Sequence, residues 1–173
     1  MKIFRLLVPT LILFFITAPL QAQEENIDSG VEWQSLEKAQ KEAKETGKKI
    51  LIFGYADWCG YCRKMRKETY PAENVQKSLD ADFIPVQING ESKEKVVFNG
   101  KTYKSVELAR YLRLTSYPTH YFLNSEGEII GAQPGFLPPE VFSPLMDYVS
   151  EGLFGKVPFL DYMENKGLKI EQD

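Results

Sequence analysis

The feature that most constrains the fold is the segment Trp58-Cys59-Gly60-Tyr61-Cys62, which contains both cysteines of the chain. It follows a run, Ile50-Leu51-Ile52-Phe53, whose β-branched and aromatic residues are typical of a buried strand. The charged residues that come directly after it, at positions 63–68, are typical of the start of a helix. The two cysteines are therefore predicted to lie at a strand-to-helix turn, with Cys59 in the first helical turn.

This position favours a thiolate at Cys59, because the first turn of a helix has unpaired backbone N–H groups and the positive end of the helix dipole. An ordinary cysteine titrates near pH 8.5, whereas cysteines of C-x-x-C motifs at helix N-termini titrate at about pH 3.5 to 7.5. Cys62, one turn further into the helix, is expected to be shielded. We predict that Cys59 attacks a partner disulfide and that Cys62 resolves the mixed disulfide by attacking Cys59.

A structural disulfide and half of a metal site are the alternatives for this pair. The disulfide would close only a very short loop, which makes it a poor stabiliser of the folded chain. A structural zinc site takes four ligands, and the chain offers two cysteines and one histidine. We therefore favour redox chemistry, and we expect no metal and no cofactor.

The first 22 residues are typical of a cleavable signal peptide. Lys2 and Arg5 precede an apolar stretch over residues 6–18, and Ala22 is a small residue at the predicted cleavage point. About 20 apolar residues are needed to span a bilayer, so a retained membrane anchor is the less favoured alternative. Export would place the protein in an oxidising compartment.

Composition excludes one class of function. Removal of residues 1–22 leaves 19 Lys plus Arg against 24 Asp plus Glu, a formal charge of −5, and this acidic balance does not suggest nucleic acid binding. The remaining length suits one core. We predict a flexible arm over residues 23–30, a single domain over 31–152 and a C-terminal tail with a short helix over 153–173.

The order of predicted elements is that of an α/β fold. We predict a helix over 31–46 with Trp33 on its buried face, a strand over 49–55, the active-site helix from Cys59 to Tyr70, a helix over 72–80 and a strand over 82–88. Pro71 should break or kink the helix that precedes it.

The second half begins with a predicted β-hairpin over 94–104, because Asn99-Gly100 is a strong two-residue turn signal. Ser105 is the expected N-cap of a helix over 106–114. Two strands over 119–123 and 128–131 are predicted to pair as an antiparallel hairpin. Helices over 139–151 and 159–165 complete the chain.

The segment Tyr55-Ala56-Asp57-Trp58-Cys59-Gly60-Tyr61-Cys62, followed by Ser116-Tyr117-Pro118-Thr119, resembles the thioredoxin superfamily over residues 31–152. It is most similar to the exported thioredoxin-like proteins of bacteria, including those that keep periplasmic cysteines reduced. The resemblance implies a central mixed sheet flanked by helices, and a cis peptide bond before Pro118, which faces the dithiol. It also implies that Tyr117 offers backbone groups to an extended partner strand beside the reactive sulfur.

Two departures from the superfamily leave the redox direction open. Thioredoxin has a buried acid six residues before its first cysteine, and this chain has Phe53 there, so another group or water must take the proton of Cys62. Gly60-Tyr61 replaces the usual glycine-proline pair and resembles the dipeptide of periplasmic disulfide isomerases. The hairpin around Asn99-Gly100 is an insertion to which the sequence assigns no role.

The resemblance implies a periplasmic thiol–disulfide oxidoreductase that works mainly as a reductant. Its expected partners are exported proteins with disulfides and a membrane-embedded electron donor. A disulfide isomerase or oxidant is the alternative within enzymes, and a non-catalytic module that binds a partner around Trp58 and Pro118 is the alternative outside them. Trp58 is assigned either to a partner-binding surface or to the core. His120 is assigned to packing or hydrogen bonding in preference to proton transfer, and Asp57 to a solvated turn. The cations at positions 63, 64, 66 and 67 are interpreted as a solvated helix face.

Overall fold

The computed structural model describes residues 29–168. It contains a four-stranded mixed sheet, a separate two-stranded hairpin and helices on both faces of the sheet. The helices are α1 (Leu36–Thr46), α2 (Gly60–Lys64), α3 (Glu73–Asp82), α4 (Ser105–Tyr111), α5 (Pro139–Ser150) and α6 (Phe159–Asn165). The strands are β1 (Lys49–Tyr55), β2 (Phe83–Asn89), β3 (Lys95–Phe98), β4 (Lys101–Lys104), β5 (Thr119–Leu123) and β6 (Ile129–Pro134). The predicted fold is confirmed.

The four strands of the sheet lie in the order β2-β1-β5-β6. β1 pairs with β2 in parallel and with β5 antiparallel, and β6 pairs antiparallel with β5. Central strand β1 is covered on both faces, and its residues Ile50, Leu51, Ile52 and Phe53 are all fully buried. This explains why the predicted strand is a continuous apolar run instead of an alternating one. β6 begins at Ile129 and continues to Pro134, beyond the predicted end at Gly131.

Helix α1 is shorter than predicted at its start. The side chain of Ser35 caps the helix by accepting a hydrogen bond from the Lys38 N–H at 3.4 Å. The two residues before this cap are extended, and the Gln34 N–H donates to the Pro85 carbonyl at 3.0 Å. Trp33 therefore packs from an extended segment, outside the helix, and its indole N–H donates to the hydroxyl of the buried Ser29 at 3.2 Å.

The active-site helix has two parts. α2 continues directly into a π-helical turn, Met65–Thr69, and the Tyr70 N–H donates to the Met65 carbonyl at 2.9 Å, five residues back. The helix therefore ends just before Pro71, where proline cannot continue the hydrogen-bond ladder. The predicted end is confirmed, and the π-helical turn was not part of the prediction.

The inserted hairpin is confirmed. Asn99 and Gly100, both with positive φ (49° and 73°), form its two-residue turn. Ser105 is not the N-cap of the next helix: α4 begins at Ser105, and Glu107 accepts the N–H of the preceding residue, Lys104, at 3.0 Å. The Ser105 hydroxyl instead donates to the Asn89 carbonyl at 2.6 Å. α4 ends at Tyr111, before the predicted end at 114.

Two apolar clusters fill the two sides of the sheet. One includes Phe53, both cysteines and α5, and the other lies between the sheet, α1, α4 and the inserted hairpin. The segment after residue 152 packs on the first cluster, where Tyr162 of α6 contacts Tyr148 of α5 with ring centroids 5.2 Å apart. The predicted signal peptide, residues 23–28 of the predicted arm and residues 169–173 lie outside the described residues.

Candidate active site

The two cysteines lie where β1 leads into α2. Cys59 is the N-cap of α2, not a residue of its first turn, and Cys62 is the third residue of the helix. They form a disulfide, with Cα atoms 5.2 Å apart. Both are nearly fully buried, with 3% and 2% of their surface exposed, so exposure does not distinguish the predicted nucleophile from the predicted resolving cysteine in this oxidised state.

The two sulfurs differ in their hydrogen bonding. The Cys62 N–H donates to the sulfur of Cys59 at 3.0 Å. This contact uses one of the free N–H groups at the helix start, which are the groups that stabilise a negative charge there. In the reduced state the same donor would therefore favour negative charge on Cys59 over Cys62.

Asp57 anchors the turn before the dithiol. Its carboxylate accepts a hydrogen bond from the Asn89 amide at 2.9 Å, and its carbonyl accepts one from the Arg63 guanidinium at 3.0 Å. The Cys59 N–H donates to the Ala56 carbonyl at 3.0 Å and closes the turn. Asp57 is exposed, as expected, but it also ties the dithiol turn to the end of β2.

Trp58 lies on the surface, with 66% of its area exposed, which excludes the core-packing alternative. Its ring meets that of Tyr117 edge to face, with centroids 5.8 Å apart, and its indole N–H donates to the Glu91 carboxylate at 3.0 Å. Gly90 leaves room for Tyr117, because a Cβ atom at that glycine would lie 2.2 Å from the phenol oxygen. Burial, together with the negative charge of Glu91, raises the pKa of Tyr117.

The loop at residues 89–91 is not among the site residues predicted from the sequence. Asn89-Gly90 directly after a predicted strand is a turn signal that could have drawn attention to it. Its contacts with Trp58 and Tyr117 connect residues about 30 positions apart, and no local pattern indicates them.

The peptide bond between Tyr117 and Pro118 is cis, as the resemblance implies. Pro118 is buried directly before β5, and its carbonyl accepts the Gly135 N–H at 2.8 Å. A second aromatic pair lies on α2, where Tyr61 is 63% exposed and its ring centroid is 6.1 Å from that of Phe136. Exposed or half-buried aromatic rings thus accompany the dithiol on two sides.

The interior behind the dithiol is aromatic and uncharged. Phe53, at the position of the acid in thioredoxin, is fully buried and stacks on His120 with centroids 5.6 Å apart. Burial lowers the pKa of His120 to about 3, although a backbone interaction with Gln133 partly opposes the effect. His120 is therefore neutral at physiological pH, in agreement with the packing role predicted for it.

Arg66 departs from the predicted solvated helix face, since it is half-buried. Its guanidinium lies 4.5 Å from the ring centroid of Tyr55 and 5.5 Å from that of Phe53, and it donates to the Gln87 side chain at 2.8 Å. The stacked rings of Phe53 and Tyr55 on β1 therefore have the Arg66 guanidinium at their edge, held there by Gln87.

Over residues 29–168, no three or more His, Cys, Asp and Glu side chains come together in a way that could hold a metal ion. Within the same range, no helix has both the length and the apolar character needed to cross a membrane.

Comparison with known proteins agrees with the fold. A family model described as a thioredoxin-like domain matches residues 36–150. The thiol:disulfide interchange protein DsbD of Vibrio cholerae is 28% identical over 133 residues, which are 77% of this chain and 18% of that protein. DsbD of Escherichia coli K12 is 32% identical over 110 residues, 62% of this chain and again 18% of the relative. The chain thus spans less than a fifth of the length of these relatives.

A solved structure supports the fold independently. A thioredoxin-fold protein from Helicobacter pylori superposes with a TM-score of 0.63 at 17% identity, covering 84% of this chain and 95% of that one. At this identity the likeness concerns the fold alone.

Proposed function

Since this chain belongs to the thioredoxin-like family, we propose that it is a thiol–disulfide oxidoreductase and that it works in the bacterial periplasm as a reductant of protein disulfides. The Cys59-Gly60-Tyr61-Cys62 motif is the redox centre. Cys59 is the nucleophile, and Cys62 is the resolving cysteine.

The observation that carries the cysteine roles in this proposal is the hydrogen bond from the Cys62 N–H to the sulfur of Cys59 at the start of α2. In the reduced protein, the Cys59 thiolate attacks one sulfur of the substrate disulfide, a mixed disulfide forms, and the other substrate sulfur leaves as a thiolate and takes a proton. Cys62, after losing its proton, attacks Cys59 and releases the second substrate thiol. The substrate gains two electrons and two protons, and the enzyme keeps the Cys59–Cys62 disulfide.

Partner binding is assigned to the groups around this disulfide. The rings of Trp58, Tyr61 and Tyr117 are exposed or half-buried, and Pro118 lies directly before β5. Rings of this kind supply contact area with little loss of side-chain entropy. Tyr117 is the residue whose backbone we propose to pair with an extended substrate segment.

The location and partners rest on the N-terminal sequence and on the relatives. Residues 1–22 have the pattern of a signal peptide, and the matched relatives are named thiol:disulfide interchange proteins. We propose that residues 23–30 form an arm, that 31–152 form the catalytic domain and that 153–173 form a tail. A reductant outside the cytoplasm needs electrons, so the proposed upstream partner is a membrane-embedded donor, and the downstream partners are exported proteins with disulfides.

Two cysteine variants test the roles. Cys59→Ser should abolish reduction of an insulin-type protein disulfide, whereas Cys62→Ser should form a mixed disulfide with substrate that gel electrophoresis without reductant can detect. The double variant is the matched control and should form none. A Cys59→Ser protein as fast as wild type would disprove the assignment of the nucleophile.

The second candidate is an isomerase or oxidant, and the Gly60-Tyr61 dipeptide is the observation that favours it. The reduction potential of the pair against a glutathione series decides between the two. Known dithiols span about −270 to −120 mV, and about 30 mV is a tenfold change in the equilibrium constant. A value near the low end supports a reductant, and a value near the high end supports an oxidant or isomerase.

A further inference from the structure

The inserted hairpin and the helix after it carry an unusual charge. Residues 93–113, here called the basic hairpin unit, contain six Lys or Arg against two Glu, a net charge of +4 in a chain whose formal net charge is −3. All six cations are exposed: Lys93, Lys95, Lys101, Lys104, Arg110 and Arg113. The rest of the chain therefore has a formal charge of −7, so this unit is a basic surface on an acidic protein.

These cations are poorly neutralised within the protein. Across the described residues 29–168 the ion pairs are Lys104–Glu107, at 3.7 Å, and two pairs elsewhere, so five of the six cations are in none. Lys95 and Lys104 are directly opposite each other on β3 and β4. Like charges at directly opposite positions destabilise a strand pair. The hairpin would fold more easily without this arrangement, which points to a role in binding.

The unit also has an aromatic contact surface. Tyr111 on α4 has 61% of its area exposed. Its ring centroid is 5.9 Å from that of Tyr103 and 6.2 Å from that of Phe98. The Lys101 ammonium lies 5.0 Å from the centroid of Tyr103. An exposed tyrosine beside unpaired cations is the kind of surface that binds a partner, because tyrosine supplies rigid contact area and the cations supply complementarity.

Two hydrogen bonds connect this unit to the dithiol turn. The Ser105 hydroxyl, where β4 ends and α4 begins, donates to the Asn89 carbonyl at 2.6 Å. The Asn89 amide donates to the Asp57 carboxylate at 2.9 Å, two residues before Cys59. The base of the hairpin, where β4 ends at Lys104 and α4 begins at Ser105, is thus adjacent to the loop at 89–91, which contacts Trp58 and Tyr117. A protein engaged at the dithiol would be within reach of the base.

We propose that the basic hairpin unit docks an acidic surface of the protein that exchanges a disulfide with Cys59. This inference rests on the proposed function and names the charge of its partner. The unit steers the acidic partner toward the dithiol and raises the rate of encounter.

A protein partner fits the unit better than an anionic membrane does. Lys95 and Lys104 lie on one face of the hairpin, whereas Lys101 lies on the opposite face with Tyr103 and Phe98, because side chains alternate along a strand. Phe98 packs in the second apolar cluster, so only the face with Lys95 and Lys104 is open over its whole area. A protein is the better fit because the hairpin is hydrogen-bonded through Asn89 to the dithiol turn, where the proposed substrate is itself a protein.

The experiment compares two disulfide-linked model peptides that are identical except for glutamates or lysines around the cystine, together with neutral 2-hydroxyethyl disulfide. The variant is Lys93→Gln/Lys95→Gln/Lys101→Gln, which leaves the capping pair of Lys104 intact. The control is Lys38→Gln/Lys41→Gln/Lys44→Gln, which makes the same charge change on the exposed side of α1. kcat/KM is measured at low and at high ionic strength.

We expect wild type to reduce the acidic peptide with a kcat/KM about 3- to 10-fold above that of the basic peptide at low salt. The preference should disappear at high salt, where the Debye length falls to about 3 Å. The hairpin variant should lose it at low salt and the α1 control should keep it, with kcat unchanged in both. Equal rates on the two peptides, or equal losses in the two variants, would overturn the inference.

Two further results distinguish failure of this inference from failure of the proposed function and from binding to a membrane. If wild type does not reduce even 2-hydroxyethyl disulfide, the proposed function itself fails. If the peptides are not discriminated but the hairpin variant loses binding to vesicles of phosphatidylglycerol, the unit contacts a membrane and the acidic protein partner is disproved.

Discussion

His120 should make the stability of the protein depend on pH between about 7 and 5. It is the one histidine of the chain, so few other side chains titrate in this range. It is fully buried in β5, with its ring centroid 4.7 Å from that of Phe142, and neither ring nitrogen makes a hydrogen bond of normal geometry. Burial lowers its pKa in the folded protein to about 3, whereas the unfolded chain protonates it near pH 6.5.

The sign follows from proton binding. Below about pH 6.5 the unfolded chain binds a proton that the folded protein does not, so the free energy of unfolding falls as the pH falls. Each pH unit in this range costs about 1.4 kcal/mol, which gives a loss of about 2 kcal/mol at pH 5 relative to pH 7. Any folded-state pKa below about 4 gives nearly the same loss, because protonation of the folded protein is then negligible at pH 5.

The assay is urea unfolding at pH 7, 6 and 5 for wild type and for His120→Phe, which keeps an aromatic ring against Phe142 and Phe53. The variant should show little change across this range, whatever its stability at pH 7. The reasoning is refuted if wild type loses less than about 1 kcal/mol between pH 7 and 5, or if the variant loses as much as wild type.

Three other changes have expected outcomes. Glu91→Ala removes the acceptor of the Trp58 indole N–H and a negative charge near Tyr117, so it should lower both the fluorescence anisotropy of the tryptophans and the pKa of Tyr117 in a spectroscopic titration. Glu91→Gln keeps an acceptor for the indole N–H and should lower only the pKa of Tyr117. Gly54→Ala should destabilise the protein by about 1 to 3 kcal/mol in urea unfolding, because the new Cβ would lie 2.9 Å from Leu114 in a closely packed strand; an unchanged midpoint would contradict this packing. Tyr70→Phe should raise the stability by about 1 kcal/mol, because the buried hydroxyl has no hydrogen-bond partner, and a lower melting temperature would show that it has one.

The elements that sequence predicts best are those with a local physical cause. The apolar run of β1 and the Asn99-Gly100 turn depend on neighbouring residues alone, and both are found as expected. The order of the elements around the dithiol follows in the same way. The cis bond before Pro118 was expected from the resemblance, and the spacing itself does not reveal it.

The predicted helix starts are wrong where a contact with a residue distant in sequence determines the first residue of the helix. Trp33 fits the apolar face of a longer α1, but the helix begins only after Ser35, its N-cap. The reason is that Gln34, directly before the cap, pairs with Val86 of β2. Ser105 has the side chain of an N-cap, but its hydroxyl is used by Asn89, 16 residues earlier. In both cases a tertiary contact competes with a local preference of about 1 kcal/mol and determines where the helix begins.

Because Phe53 stands where thioredoxin has a buried acid, the ionisable carboxylates of this site lie on its surface, here called the rim, and not in its interior. The interior contains Phe53, a neutral His120 and a Tyr70 whose pKa is raised well above its usual range by burial, so none of these accepts a proton at neutral pH. The groups that carry charge are on the surface of the same site, namely the carboxylates of Asp57 and Glu91. In the proposed reaction, proton transfer from Cys62 therefore depends on solvent or on a group of the partner. A partner that covers the rim would change the rate of the resolving step as well as the rate of docking.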